Sequence, residues 1–207
     1  MIGDNLLHPR DLPLWEEAKP FLDVRNNDEH TLVAYGLARV FLEQIPEAEE
    51  SVVLPAILLH DVGWKRIDPD LLLLAVGRNP TRKDLVRDHE LHGVEIARAI
   101  LERHRPKGVD IEAVLAIIDG HDTTREPRSI NDAAVKDADK GWRATPHGMK
   151  TICGWYDTDI LETVETLERV SNPYMLTPQG RAFAEGMCAV IRAEAQIEKY
   201  MKEAADV

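Results

Sequence analysis

A histidine and an aspartate stand side by side at the end of an apolar run, in the sequence AILLHDVG at residues 56–63. Both side chains are costly to bury unless they are paired or bind an ion. Imidazole nitrogens and carboxylate oxygens together suit borderline divalent metals such as Mn, Fe, Co, Ni or Zn. His60 and Asp61 therefore either cap a helix and meet water, or form the floor of a metal site.

Other histidines and acids lie at or near the ends of apolar segments in the same way. Helical bundles commonly build metal sites from inward side chains on different helices. A carboxylate can also bridge two metals, and Asp61 is the candidate for that role. Any one of these residues is more often a cap, a satisfied core residue or a surface residue, so composition alone does not assemble them into one site. The further candidates are His30, His89, His121 and Asp139.

The segments that carry these residues have apolar residues at helical spacing. Pro46, Gly63 and Gly120 provide stops for three of them. No pair of segments has the turn chemistry of a β-hairpin. We therefore predict an all-α fold in which residues 1–207 form a single domain. The predicted helices span residues 28–45, 49–63, 82–104, 110–122, 129–144, 157–172 and 177–204.

The composition excludes several classes of partner. The chain has 207 residues and a formal net charge of −12, which disfavours duplex nucleic acid and anionic membranes. A small phosphorylated ligand is compatible with this charge, because a metal or a few local cations can reverse the field inside one pocket. Cys153 and Cys188 are far apart in the sequence, so a disulfide scaffold is not expected and a reducing cytosol is the default. The first residues lack the apolar core of a signal peptide, and no stretch approaches the length of a membrane span. We expect a cytoplasmic protein with no membrane partner.

The order of these motifs resembles that of the HD-domain superfamily of metal-dependent phosphohydrolases. AILLHDVG is similar to that family's apolar helix ending in H-D-x-G, and HELHGVEIARAIL is similar to its H-x-x-x-G helix, which selects His89 rather than His92. AIIDGHD resembles the segment that supplies a further histidine, here His121. AVKDADKG resembles the closing A-D motif, which selects Asp139.

This resemblance implies a helical bundle of the HD-domain/phosphodiesterase-like type, with a metal-binding core at about residues 25–145. The C-terminal helices at about 157–204 then cover the core or mediate self-association, which leaves a homo-oligomer open. His89 and His121 match positions that hold a second metal in two-metal members and line the substrate phosphate in one-metal members. One or two divalent ions are implied, with Mn, Fe, Co, Ni, Mg or Zn as candidates. The implied primary metal ligands are His30, His60, Asp61 and Asp139.

Basic residues follow two of the predicted ligands. Lys65 lies one helical turn after the motif aspartate, Arg143 lies one turn after the closing aspartate, and Lys140 is next to the latter. If the helices continue, these cations face the same pocket and bind phosphate oxygens; otherwise they are solvated surface residues. Many relatives have a lysine directly after the motif glycine, where this chain has Trp64.

The resemblance implies hydrolysis of a phosphoester or phosphoanhydride in a small molecule, with a nucleotide as the first candidate. A metal ion would acidify a bound water and polarise the phosphoryl oxygen. Asp61, His89 and His121 are the predicted catalytic residues, the two histidines by donating to phosphoryl oxygens or moving a proton. Two alternatives remain: an HD-fold oxygenase that uses two irons to cleave a C–C or C–P bond, and a non-catalytic sensor that binds a nucleotide.

Overall fold

The computed structural model describes residues 6–76 and 80–205. Those residues form α-helices joined by turns and short 3₁₀ segments, with no strand among them, which confirms the all-α prediction. The chain divides into two compact units, residues 1–139 and 140–207. A single functional domain therefore stays a prediction. Within the described part of the chain, no helix combines the length and apolar character needed to cross a membrane.

The helices of the first unit bury apolar faces against one another. The third is buried along nearly its whole length from Val52 to Leu59, as expected for a segment that is apolar all round. The sixth begins after Asp110, whose carboxylate accepts the amide of Ala113 at 3.0 Å and caps the helix as its sequence predicts. The helices are α1 (Leu12–Ala18), α2 (Asn27–Gln44), α3 (Glu50–Leu59), α4 (Leu72–Val76), α5 (Asp84–His104), α6 (Ile111–Ile118) and α7 (Ile130–Gly141), the last of which continues past the boundary between the units.

The end of α3 differs from the prediction for a physical reason. The helix ends at Leu59 and a 3₁₀ segment, Val62–Arg66, follows, so Gly63 is not a helix stop. A Cβ at Gly63 would lie 1.9 Å from the carbonyl oxygen of His89 and 2.5 Å from the amide nitrogen of Gly93. Glycine is needed there because the backbones of the 3₁₀ segment and α5 touch. This contact brings the residues after α3 beside the ligand-bearing turn of α5.

The second unit contains α8 (Pro146–Tyr156), α9 (Ile160–Val170) and α10 (Pro178–Ala205). Its core includes Met149, Val164, Leu167 and Cys188, all buried. Helix α8 was not predicted from the sequence. It begins after Thr145, whose hydroxyl accepts the amide of Gly148 at 3.0 Å, but the two glycines within it weaken the helical signal.

Candidate metal centre

All six residues predicted as metal ligands come together in the first unit. They are contributed by α2, by the residues that follow α3, by α5, by the turn after α6 and by α7. Each is buried, with no more than 8% of its surface exposed. In chain order they are His30, His60, Asp61, His89, His121 and Asp139.

The first histidine pair faces two carboxylates. The Nε2 atoms of His30 and His60 lie 3.1 Å apart. Asp139 Oδ1 lies 3.3 Å from Nε2 of His30 and 3.7 Å from that of His60. Asp61 Oδ2 lies 3.6 Å and 3.5 Å from the same two nitrogens. We refer to His30, His60, Asp139 and Oδ2 of Asp61 as the first half-site.

The second histidine pair faces the other oxygen of the same aspartate. The Nε2 atoms of His89 and His121 lie 3.2 Å apart. Asp61 Oδ1 lies 3.7 Å from the first of these nitrogens and 3.5 Å from the second. We refer to His89, His121 and Oδ1 of Asp61 as the second half-site. Asp61 thus directs one carboxylate oxygen at each pair, as a bridging ligand does.

The tautomers of two histidines fit metal binding. Nδ1 of His60 lies 2.7 Å from the carbonyl oxygen of Ile57, and Nδ1 of His121 lies 2.9 Å from that of Ile118. A carbonyl oxygen only accepts, so Nδ1 carries a proton in both rings. Nε2 is then the ring nitrogen that is left to bind an ion.

The separations between donor atoms also fit an ion. Atoms that bind one ion at about 2.1 Å lie about 3.0 to 3.4 Å from each other in octahedral or tetrahedral geometry. The histidine nitrogens of both half-sites fall in this range, as does the 3.3 Å separation of Asp139 Oδ1 from His30 Nε2. The other carboxylate oxygens lie slightly outside it, at 3.5 to 3.7 Å from the histidine nitrogens. The residues present therefore suit a divalent ion in each half-site.

The pKa values of the site reflect the competition between burial and charge. Burial lowers the pKa of His121, but the carboxylates of Asp61, Asp122 and Asp139 outweigh burial and raise this pKa to about 10. Burial and the neighbouring ring of His121 lower the pKa of His89 to about 4. Burial would raise the pKa of Asp61, yet the surrounding imidazoles hold it well below its usual range. Asp61 is therefore ionised.

Trp64 packs against two of the candidate ligands. Its indole Nε1 donates to Asp61 Oδ1 at 3.1 Å. Its ring stacks on that of His89, with centroids 4.0 Å apart and an angle of 11° between the planes. One turn of 3₁₀ helix brings Trp64 back to the side of Asp61. The sequence could have suggested the first contact by this spacing, but not the second.

A buried carboxylate in α5 holds the turn after α6. Glu90 Oε1 accepts the backbone amides of Asp122 at 2.9 Å and Thr123 at 2.8 Å. Its Oε2 accepts the Thr123 hydroxyl at 2.6 Å and Nη1 of Arg87 at 2.8 Å. Burial would raise the pKa of Glu90, but these donors lower it overall. Glu90 is therefore an ionised anchor for the turn.

Asp122 lies beside the second half-site. Its Oδ2 is 3.9 Å from Nε2 of His89 and 3.8 Å from Nε2 of His121. Neither Asp122 nor Glu90 was selected from the sequence. The available signal was adjacency, because each residue directly follows a candidate histidine.

Of the three predicted substrate-binding cations, Lys65 lies in the first unit. Lys65 is exposed, and its ammonium group pairs with Asp23. Lys140 and Arg143 belong to the second unit. Their roles stay predictions. His92, three residues further along α5 than the histidine of the second half-site, belongs to none of the metal-ligand groups found among the described residues.

Comparison with known families is consistent with this geometry. A model of the HD domain matches residues 27–141, more than half of the chain, and this range contains all six candidate ligands. Comparisons with curated proteins and with solved structures found no match. From the family match, and in keeping with the helical cluster around Asp61, we conclude that the chain belongs to the HD-domain family, a superfamily of metal-dependent phosphohydrolases.

Proposed function

We propose that this protein is a metal-dependent phosphohydrolase that cleaves a phosphoester or phosphoanhydride bond of a small molecule, with nucleotides as the substrate class. The observation that carries the proposal is the position of Asp61 between two histidine pairs. When bound, divalent ions supply Lewis-acid chemistry, because they polarise phosphoryl oxygens and acidify water. The ions proposed are Mn, Fe, Co, Ni, Mg or Zn, one or two per chain.

The protein contributes orientation of the donor atoms. The carbonyl oxygens of Ile57 and Ile118 fix two imidazole rings so that their Nε2 atoms face the centre. Trp64 holds one oxygen of the shared carboxylate and covers the ring of His89, which keeps water from that side. These contacts preorganise the donors before substrate arrives.

Asp61, His89 and His121 are the proposed catalytic residues. Asp61 joins the two half-sites. In a one-ion form, the second histidine pair would remain available to donate to phosphoryl oxygens or to move a proton at Nε2. His121 suits the donating role, because the nearby carboxylates raise its pKa to about 10. His89 suits the accepting role, because burial lowers its pKa to about 4.

Three cations are proposed to bind the substrate phosphate: Lys65, Lys140 and Arg143. Lys65 follows Asp61 by four residues, and its partner Asp23 is exposed. An exposed ion pair contributes only about 0 to 1 kcal/mol, so the ammonium group can exchange this partner for a phosphate. The acidic net charge disfavours duplex nucleic acid, and it is compatible with a small phosphorylated partner because local cations or a metal can reverse the field in one pocket. A cytoplasmic location stays a prediction.

A second candidate function is a di-iron oxygenase that cleaves a C–C or C–P bond. The observation that favours it is the donor set of the first half-site, where two imidazoles meet carboxylate oxygens. Two histidines and one carboxylate with open positions also form the binding site of many non-haem Fe(II) oxygenases. A nucleotide-binding sensor without catalysis would leave this donor set without a chemical use.

Phosphate release distinguishes these functions. Metal-free protein is reloaded with Mn, Co or Mg and assayed for phosphate or pyrophosphate release from a panel of nucleotides and other phosphoesters. We expect release from at least one nucleotide, its loss with EDTA, and its loss in the Asp61→Asn variant. Iron-loaded protein that consumes dioxygen with an organic substrate and releases no phosphate would favour the oxygenase. Nucleotide binding without either reaction would favour the sensor.

A further inference from the structure

We infer that Asp122 is a metal ligand of the second half-site, an assignment that rests on the proposed two-metal function. Its Oδ2 lies 3.9 Å from Nε2 of His89 and 3.8 Å from Nε2 of His121, and these three donor atoms form one of the groups that could hold an ion. The motif AIIDGHD, which supplied His121, ends at Asp122 but did not select it as a ligand. Asp122 is therefore a seventh ligand of the centre.

The first half-site provides the internal standard for this assignment. There, Asp139 Oδ1 lies 3.3 Å and 3.7 Å from the two histidine nitrogens, and Asp61 contributes one oxygen. With Asp122 included, the second half-site has the same composition: two imidazoles, one carboxylate of its own and one oxygen of Asp61. Each ion then has four protein donors, and further positions are left for water or substrate.

The position of Asp122 is set from outside the centre. Glu90 accepts its backbone amide and that of Thr123, so the backbone of the turn after α6 is held in place by charge-assisted hydrogen bonds. Arg87 pairs with Glu90 and with Asp119 on the other side of the same turn. These contacts fix the backbone on both sides of His121. They are the outer contacts that a metal ligand needs to keep its orientation.

The two carboxylates differ in exposure. The side chain of Asp122 is 25% exposed, whereas that of Asp139 is 9% exposed. An ion held by Asp122 therefore lies on the more open side of the cluster. We expect this ion to exchange faster than the other. A third carboxylate in the centre also offsets more of the positive charge of two divalent ions and favours metals that prefer oxygen donors, such as Mn.

A different role for Asp122 would be to pair with a protonated His121 ring. The two roles predict different results. A carboxylate that only pairs with the ring is an outer contact, and its replacement lowers the affinity of the ion by about 10- to 100-fold, whereas loss of a metal ligand lowers the affinity further. Counting ions and measuring their affinities therefore separates the two roles without any measurement of activity.

The test uses full-length protein freed of metal and titrated with Mn(II). Calorimetry and electron paramagnetic resonance of free Mn(II) give the number of ions and their affinities. The variants are Asp122→Asn, Asp122→Ala and a control, Glu126→Gln. Glu126 is exposed, lies in the same loop and loses the same charge. Circular dichroism verifies that each variant is folded.

We expect two ions in the wild-type protein and in Glu126→Gln. In Asp122→Asn and Asp122→Ala, the affinity of one ion should fall by more than about 100-fold, beyond the loss that an outer contact causes, while the other ion is retained. If both Asp122 variants bind two ions and lose less affinity than this, the inference is overturned and the two-metal centre stands. If the wild-type protein binds fewer than two ions, the inference fails together with the two-metal centre.

Discussion

The two half-sites use similar donors but hold them in different ways. In the first, His30 and Asp139 lie within helices, and His60 directly follows the buried helix α3. In the second, His121 lies beyond the end of α6, in a turn that depends on hydrogen bonds to the buried Glu90. Helix packing therefore positions the first half-site, whereas the second combines His89 on α5 with a hydrogen-bonded turn. We therefore expect the second half-site to bind its ion more weakly and to be more easily perturbed by mutation.

The largest effect is expected where the half-sites meet. Asp61→Ala removes the carboxylate that faces both histidine pairs, so both ions should be lost and activity with them. Elemental analysis after gel filtration measures this loss. Circular dichroism should still report a helical protein. Stoichiometric metal retained by the variant would show that Asp61 does not join the two half-sites.

His89 and His92 test the second half-site alone. His89→Ala should remove one ion and leave the other, because its Nε2 faces His121 and Asp61 while no donor of the first half-site depends on it. His92→Ala is the matched control on the same helix and should keep both ions. Metal content and activity of the two variants should diverge sharply. Equal, mild effects of the two substitutions would show that the second half-site does not bind an ion.

A substitution at Gly63 tests the backbone contact between the 3₁₀ segment after α3 and helix α5. Gly63→Ala should destabilise the protein by about 1 to 3 kcal/mol or more, because its Cβ would overlap the backbone of α5. Gly154→Ala is the control, since a Cβ there meets nothing within 4 Å and should leave stability unchanged or slightly higher. Urea unfolding followed by circular dichroism measures both. Equal stability of the two variants would show that α5 and the 3₁₀ segment do not touch.

Glu90 tests the turn that holds the second half-site. Glu90→Ala should lower the affinity of one ion by about tenfold and leave the other unchanged, as loss of an outer contact does. Glu90→Gln keeps an oxygen that accepts the amides of Asp122 and Thr123, so it should restore most of that affinity. Mn(II) calorimetry measures both variants. A uniform loss of both ions would indicate general unfolding rather than positioning.

The smallest effect on the metal centre is expected from Arg143, which lies in the other unit. Arg143→Gln should raise KM or lower kcat several-fold while both ions stay bound, because it removes a proposed contact to substrate rather than to metal. Steady-state kinetics and metal analysis on the same sample measure the two effects. Loss of an ion in this variant would place Arg143 in the metal centre.

Five of the six candidate ligands could be predicted from short motifs whose neighbours identify them, and His30 from its place in the order of those motifs. His89 was separated from His92 in this way, and the structure places only the former in the cluster. The all-α class followed from apolar spacing. Both predictions depend only on residues that are close together in the sequence, so one sequence was enough to make them.

The rest depends on contacts between distant segments. Asp122 and Glu90 are 32 residues apart, and the stacking of Trp64 on His89 joins residues 25 apart in sequence. No local pattern encodes such pairs. Gly63 shows the same limit, because a residue interpreted as a helix stop is required by the backbone of another helix. Lys65 was placed by helical spacing, and in the structure it pairs with Asp23 at the surface.

The most direct test of the central claim, that Asp61 joins two metal sites, is the electron paramagnetic resonance spectrum of the Mn(II)-loaded protein. Ions that share a carboxylate lie about 3.5 to 4 Å apart and couple magnetically. We predict two Mn(II) ions per chain with an exchange-coupled spectrum, replaced in His89→Ala by the six-line spectrum of one isolated ion. A single ion in the wild-type protein, or two ions with uncoupled spectra, would contradict the claim.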